Sequence, residues 1–145
     1  AIPSVVSGSI FRDQWFLPAG ESWHAAFIAD ANAQYLYADT DGTGSLTLSL
    51  EAVLGKAHDA DFWIGPAQFQ SYRQMAESSS HYTRFKAYQQ RQVYTYSAAR
   101  GATGGLLFFE LAPLRPDLVL KDLIAIFHPE LLPEYEPHFY HPLSE

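Results

Sequence analysis

Short apolar runs alternate with segments of helical periodicity along most of the chain, and this alternation constrains the fold more than any other feature. Four runs rich in β-branched or aromatic residues are predicted strands, at 5–10, 35–38, 61–65 and 93–96. Strands that alternate with helices form mostly parallel sheets with helices on both faces. The sequence therefore predicts an α/β fold, a three-layer α/β sandwich around a mostly parallel sheet of four or five strands.

The predicted helices carry recognisable start signals. Ser49 is a suitable N-cap for a short helix, and Glu51 lies in its first turn, where a carboxylate complements the helix dipole. The clearest helix covers 116–127, because a proline occupies its first position and apolar residues form one stripe. Further helical segments are predicted at 21–31, 69–76, 81–87 and 103–111.

Length and composition exclude several classes of protein. The 145 residues are predicted to form a single domain, 1–145, in which 129–145 is a tail that wraps over the surface. The net charge is −7 and no basic stripe is present, so a nucleic-acid partner is not expected. The absence of cysteine excludes disulfides, thiolate catalysis and cysteine-ligated zinc.

The ends and apolar runs of the chain bear on its location. No run approaches the ~20 apolar residues of a membrane span, so no membrane span is expected. The chain begins at Ala1 and has no charged segment followed by the apolar segment of a signal peptide. We expect a processed or cut chain, from which an export signal or a lipid anchor has been removed.

Right-handed crossovers place the loops after parallel strands along one edge of the sheet, and a ligand should bind there. Loop aromatics are often exposed for binding, although they can also fold back on the core. An arginine among glycines can pair with a carboxylate or a chelate oxygen, although it can also be merely solvated. The loops are 11–20, 39–49, 65–67 and 97–103. The predicted ligand-binding residues are Trp15, Phe16, Asp41, Tyr96, Arg100 and Thr103.

The segment 39–44 imitates a calcium-binding loop. Oxygen-bearing side chains occupy positions one, three and five, and glycine occupies position six. The twelfth position holds Leu50, where calcium loops have a bidentate glutamate, and Glu51 comes one residue late. One residue rotates a side chain by about 100° around a helix. We expect a turn at the cleft edge and no metal site.

Catalytic motifs find little support. The nucleophile elbow, the dinucleotide loop and the phosphate-binding loop are all absent. Two alternatives to a binding protein stay open. The first is a small stand-alone α/β enzyme that uses the same loop edge, with Asp39, Asp41 and either His58 or His24 as acid–base groups. The second is a calcium-stabilised interaction domain.

Four strings of the sequence carry a family resemblance, namely 15–20, 48–54 with 60–64, 85–94, and 115–124 with 127–129. In this order they resemble the C-terminal lobe of class III periplasmic substrate-binding proteins, which serve ABC importers of iron-siderophores, haem and vitamin B12. No single string is specific, but four in the right order are a fairly specific signature. In the third string Gln90-Arg91 stands where the family usually has Asn-Gly.

The resemblance implies a function and a set of partners. The protein would be a substrate-binding component without enzymatic activity and without a cofactor, periplasmic or anchored to the cell envelope as a lipoprotein. Its C-terminal lobe, this chain, would form one wall of a cleft that captures a metal chelate against an N-terminal lobe of the same protein. An ABC permease would receive the cargo, and Glu51 would be the permease-docking residue.

Overall fold

A five-stranded sheet, called the main sheet below, forms the centre of the molecule in a computed structural model that describes residues 2–66, 69–96, 116–135 and 140–145. Its strand order is β4-β1-β6-β7-β8, in which the first four strands are parallel and the last pair is antiparallel. This confirms the predicted fold class. The strands are β1 (Ser4–Ser7), β4 (Gln34–Tyr35), β6 (Phe62–Ile64), β7 (Val93–Tyr96) and β8 (Tyr140–Pro142).

A second sheet, called the small sheet below, was not predicted. It is antiparallel, in the order β2-β3-β5. Its first strand begins inside the predicted strand 5–10, and its other two strands lie in the predicted loops 11–20 and 39–49. The loop prediction was wrong for β3 and β5, because the turn residues Pro18, Gly20 and Gly44 stand only at the ends of these strands and do not interrupt them. The strands are β2 (Ser9–Phe11), β3 (Gln14–Pro18) and β5 (Ser45–Ser49).

The turn between β2 and β3 consists of Arg12 and Asp13, both in the left-handed region at φ 52° and 65°. Two consecutive residues with positive φ match the twist of a tight antiparallel hairpin. At the base of the hairpin, Gly8 has a φ of 90°, and a Cβ there would lie 1.9 Å from the carbonyl oxygen of Phe16. Glycine is therefore required where β1 passes into β2.

The helices agree with most of the predicted positions. Ser22 and Ser49 cap α1 and α2 by accepting hydrogen bonds from Ala25 N and Ala52 N. The predicted helix at 81–87 is instead a 3₁₀ turn (Ser80–Arg84) followed by α4, and the predicted helix at 103–111 lies outside the described residues. The helices are α1 (Trp23–Asp30), α2 (Leu50–Ala57), α3 (Tyr72–Ser78), α4 (Lys86–Gln89) and α5 (Pro116–Phe127).

An aromatic cluster joins the two sheets. The ring centroid of Trp15 in β3 lies 5.3 Å from that of Trp63 in β6 and 5.2 Å from that of Phe85. The ring of Tyr82 packs edge-on against Trp15. The indole of Trp15 donates a hydrogen bond to the Ser7 carbonyl, at 2.9 Å, and the indole of Trp63 donates one to Gly8, at 3.0 Å. Both buried N–H groups are thus satisfied, and they fix the small sheet to the end of β1.

The turn before β7 contains Gln90-Arg91, where the resembling family usually has Asn-Gly. Arg91 has a φ of 59°, a conformation that glycine adopts without cost. Its guanidinium lies 4.5 Å from the centre of the Tyr72 ring, and its Nε donates to the Glu145 carboxylate. These contacts offset the strain of a left-handed arginine.

The end of the chain differs from the predicted surface tail. A 3₁₀ turn (Pro129–Leu131) follows α5, and the chain returns as β8 to pair with β7. Asp122 of α5 is buried and accepts hydrogen bonds from Tyr135 Oη, at 2.8 Å, and Tyr140 N, at 3.2 Å. This buried carboxylate fixes the last strand to the last helix.

Candidate functional site

The carboxyl ends of the parallel strands form the edge at which a ligand was predicted. Ser7 ends β1, and its hydroxyl donates to the Ile64 carbonyl at 2.6 Å. Gly8 N donates to the Gly65 carbonyl at 3.2 Å, so the ends of β1 and β6 are held together. From this edge β1 continues directly into the small sheet, which therefore stands beside the predicted ligand position.

The two aromatic residues predicted there lie on opposite faces of β3. Trp15 is 0% exposed and belongs to the aromatic cluster, so the expectation of an exposed loop ring is corrected. Side chains alternate along a strand, so Phe16 points to the outer face of the small sheet, where it is half-buried. There it packs edge-on against Phe11, at 6.0 Å, and Phe11 is 59% exposed.

The loop 39–44 is an exposed turn around Asp41. Asp39 faces Lys56 at 4.0 Å, and the Thr40 hydroxyl donates to the Tyr37 carbonyl at 2.6 Å. Gly42 and Gly44 accept backbone hydrogen bonds from Glu21 and Ala19. In the described ranges no three histidine, aspartate or glutamate side chains are placed to share a metal ion.

The remaining predicted ligand residues lie near or beyond the end of β7. Tyr96 is the last residue of that strand, and its backbone pairs with Tyr140. Arg100 and Thr103 lie outside the described residues. Their ligand role therefore stays a prediction.

Glu51 borders a groove that no pattern in the sequence predicts. The residue is exposed in the first turn of α2, as predicted. The groove has a volume of about 310 Å³ and lies between the β2–β3 turn, the start of α2 and the junction of α3 with the 3₁₀ turn. Its lining residues are Ile10, Asp13, Leu50, Glu51, Ser78, Ser79 and His81.

The histidines considered as acid–base groups occupy ordinary structural positions. His24 lies in α1, where burial lowers its pKa to about 4 because the charged imidazole loses its hydration. His58 caps the end of α2 with its Nδ1 2.8 Å from the Leu54 carbonyl. His141 contacts the Gln70 side chain at 3.1 Å, and burial lowers its pKa as well. His138 lies outside the described residues.

No family model matches the chain. A curated relative, an uncharacterized lipoprotein of Methanocaldococcus jannaschii, is 29% identical over 141 residues, which is 95% of this chain. The chain spans 32% of the length of that relative. Within the described residues, no helix combines the length and the apolar character that a membrane crossing requires.

Solved structures share the fold. A TroA-like periplasmic binding protein, FepB, from Veillonella parvula aligns with a TM-score of 0.66 and 15% identity, over 99% of this chain and 49% of its own. A periplasmic solute-binding protein from the same organism aligns with a TM-score of 0.64 and 17% identity, over 92% of this chain and 39% of its own. A possible iron-binding protein of Staphylococcus epidermidis aligns with a TM-score of 0.63 and 14% identity, over 88% of this chain and 45% of its own. The chain therefore has the α/β fold of one lobe of periplasmic solute-binding proteins.

Proposed function

We propose that this chain is the C-terminal lobe of the substrate-binding component of an ABC importer. It would capture a metal chelate, such as a ferric siderophore, haem or a cobalamin, against an N-terminal lobe of the same protein. The observation that carries the proposal is the alignment of nearly the whole chain with about half of a TroA-like binding protein. A fold that fills half of a two-lobed protein supplies one wall of its cleft.

The layout of the site supports binding rather than catalysis. Asp39 faces Lys56 at 4.0 Å. Burial lowers the pKa of His24 to about 4, so this imidazole is neutral near pH 7 and cannot act as a general acid. The aromatic surface of Phe11 and Phe16 stands instead beside the carboxyl edge of the main sheet. Flat rings of this kind suit the large apolar surfaces of chelates.

Five residues are proposed to face the cargo. Trp15 is not among them, because its ring is part of the core. The half-buried ring of Phe16 would pack on the cargo, and Asp41 would lie at the cleft edge. The proposed cargo-facing residues are Phe16, Asp41, Tyr96, Arg100 and Thr103.

A ligand screen on the natural full-length protein tests the cargo. Ferric catecholate and hydroxamate siderophores, haem and cobalamin would be titrated by calorimetry, with the metal-free chelators as controls. We expect sub-micromolar binding of one metal-loaded class. Replacement of Phe16 by Ala should weaken that binding several-fold, whereas Gln90→Ala, at an exposed position beyond the amino edge of the main sheet, should not. Failure of every chelate to bind would contradict the proposed cargo.

Glu51 is proposed to dock on the permease. Its exposure and its position in the first turn of a capped helix support this role, because the helix holds the carboxylate outward on a rigid element. A rigid acid on each lobe would set the register of the complex and steer a basic partner towards it. The net charge of −7 suits such a partner.

The docking role has a direct test in the full-length protein. Glu51→Ala should leave cargo affinity unchanged and cost at most about 1 kcal/mol of stability, from the lost interaction with the helix dipole. It should reduce cargo-dependent stimulation of the transporter ATPase. A charge-reversed permease arginine should partly rescue Glu51→Lys. Normal stimulation by Glu51→Ala at limiting protein concentration would contradict the role.

The location is proposed from the relatives. The curated relative is named a lipoprotein and the solved neighbours are named periplasmic. We propose that this protein also acts in the periplasm or anchored at the cell envelope. Fractionation of cells that express the full-length gene, followed by detection of lipid modification, tests this placement, and recovery in the cytosolic fraction would contradict it.

A further inference from the structure

The edges of the two sheets differ in how they are closed. Strand β4, at one edge of the main sheet, has only two residues. At the opposite edge the chain continues from β8 to Ser144, whose N–H donates to the Gln70 carbonyl at 3.1 Å. In the small sheet, Ile10 N of β2 donates to Tyr82 Oη at 2.8 Å. The remaining edge is strand β5, which in the described part of the chain pairs with β3 alone.

The register of β5 on β3 shows which backbone groups face this open edge. Ala19 N donates to the Gly44 carbonyl at 2.8 Å, in continuation of the β3–β5 ladder. Hydrogen-bonded pairs alternate along an antiparallel ladder, so the N–H and C=O groups of Thr47 point away from β3. The same alternation directs the Ser45 carbonyl and the Ser49 N–H outward. All three residues of β5 are exposed, and among the described residues these outward groups of Thr47 have no hydrogen-bond partner.

Strand β5 lacks the features that usually protect an open edge. Natural edge strands are very short, or carry a proline, a charged residue or a bulge. Strand β5 has five residues with neither proline nor charge, and its pairing with β3 is continuous. An unprotected edge of this length is a template for a further strand.

The sequence of β5 reads the same in both directions, Ser-Leu-Thr-Leu-Ser. Two copies of the strand, paired antiparallel about a two-fold axis at Thr47, therefore place like residues opposite each other. Thr47 would meet Thr47 of the second copy in a hydrogen-bonded pair. Leu46 would meet Leu48 of the second copy at the closer, non-hydrogen-bonded position, where side chains pack best. A two-fold dimer requires such a self-complementary surface.

We infer that β5 pairs with β5 of a second copy of this chain, which joins two three-stranded small sheets into one continuous sheet. No charged side chain lies within the strand, so the pairing sets no like charges opposite each other. A pair of five-residue strands buries less than the ~800 Å² per partner of a standard interface. The dimer is therefore expected to be weak and to depend on concentration.

Sedimentation of the natural full-length protein between about 10 µM and about 1 mM tests the inference. We expect a reversible dimer whose population rises with concentration. Thr47→Pro removes the outward N–H and leaves the ladder with β3 intact, so it should weaken the dimer at least about tenfold. Thr47→Val keeps this N–H and is the matched control, which should dimerise like the wild type. A monomer at every concentration, or equal dimerisation of the two variants, would overturn the inference.

Cysteine cross-linking tests the register in the full-length protein, with any cysteine outside this cysteine-free chain replaced by serine. Opposed residues of a hydrogen-bonded pair have Cα atoms about 5.5 Å apart, which a disulfide can span. Under mild oxidation Thr47→Cys should link to itself, whereas Ser45→Cys should link only when mixed with Ser49→Cys. Gln90→Cys, exposed elsewhere, is the control. Self-linking of Ser45→Cys, or linking of Thr47→Cys no faster than the control, would overturn the proposed pairing.

A strand from elsewhere in the full-length protein is the competing occupant of this edge. Amide hydrogen exchange separates the two, because a second copy protects the Thr47 N–H only at concentrations that form the dimer. Protection of this N–H in the dilute monomer would show an intramolecular strand and would contradict the dimer. None of these readouts involves the cargo or the permease, so their outcome is independent of the function proposed above.

Discussion

The main sheet and the small sheet bury apolar surface in different ways. Strand β1 of the main sheet lies between two parallel neighbours, and Val5 and Val6, which point to opposite faces, are both fully buried. In the small sheet only one face is buried, so Leu46 and Leu48 of β5 alternate with exposed residues. A strand buried on both faces has no side chain left for recognition, whereas the outer face and the turns of the small sheet are available for binding.

The difference shows how a site can be added to a stable core. The small sheet is attached through the inward side of β3 and two indole hydrogen bonds. Its outward side carries Phe11 and Phe16, and its turn carries Asp13 into the groove. Changes on the outward side should therefore alter binding at little cost in stability, while changes at the attachment should loosen the whole small sheet.

The largest effect is expected from the attachment itself. Trp15→Ala removes a fully buried ring and should lower the free energy of unfolding by about 3 to 5 kcal/mol. Phe16→Ala, one residue away on the outer face, should lower it by less than about 1.5 kcal/mol. Urea denaturation measures both values. Equal losses would mean that the two faces of β3 are not as different as the burial suggests.

A pH-dependent effect is expected over the main sheet, where His24 lies in α1. Burial lowers its folded-state pKa to about 4 from an unfolded value of 6.5, so the neutral form is favoured by folding. This contribution is complete above pH 6.5 and is lost as the pH falls towards 4, a loss of about 3 kcal/mol.

The measurement compares urea denaturation at pH 7 and pH 4. His24→Gln should remove this part of the acid sensitivity, whereas His58→Gln at an exposed position should retain it. A variant His24→Gln that loses as much stability as the wild type would show that other groups govern the acid response. The effect would support the contrast between the two sheets, because it arises from packing over the main sheet alone.

A smaller effect is expected at the amino edge of the main sheet, where the Asp61 side chain joins two segments. Asp61 accepts hydrogen bonds from Ser4 N, at 3.0 Å, and from Lys86 Nζ, at 2.9 Å. Backbone hydrogen bonding from Ser4 and then the lysine lower its pKa, so its contribution is lost only as the pH falls below about 3.8.

Asp61→Ala should cost about 1 to 2 kcal/mol, since the backbone N–H loses its partner and the ion pair is lost. The pair itself contributes little, because both side chains are about 40% exposed. Asp61→Asn keeps an acceptor and should cost less than half as much. Thermal denaturation at pH 7 checks the order, and a larger loss for Asn than for Ala would contradict it.

The smallest effect is expected at Arg91, in the turn that leads into β7. Arg91→Gly relieves a left-handed φ but loses the contact with Tyr72 and the exposed ion pair with Glu145, so stability should change by less than about 0.5 kcal/mol. Arg91→Ala loses the same contacts and keeps the strain, so it should be about 1 kcal/mol less stable than Arg91→Gly. Equal stability of the two variants would show that the left-handed φ of residue 91 adds no measurable strain.

Local signals predicted much of the main sheet and its helices. Ser49 begins α2 and Pro116 begins α5 as predicted, because caps and proline act within a few residues of the chain. The strand at 93–96 was also predicted correctly. A missed signal was present in 45–49, where Ser-Leu-Thr-Leu-Ser alternates with period two, as a half-buried strand should.

The candidate site was predicted only in part. Glu51 was placed correctly on the surface, but Trp15 was not, because an aromatic residue before a proline gives no indication of which face of a strand it will occupy. Asp13 and His81 were missed, since they are far apart in sequence and meet only through the hairpin and the 3₁₀ turn.

Local patterns specified the four parallel strands of the main sheet, the helices beside them and their caps, since these depend on periodicity and on neighbours a few residues apart. Tertiary structure alone decided the pairing of Trp15 with Leu48, the burial of Trp15 against Trp63 and the position of Asp13 and Glu51 on one groove. Such contacts require closure of long loops, and which contact forms depends on the apolar area that the whole fold buries. No local pattern contains that information.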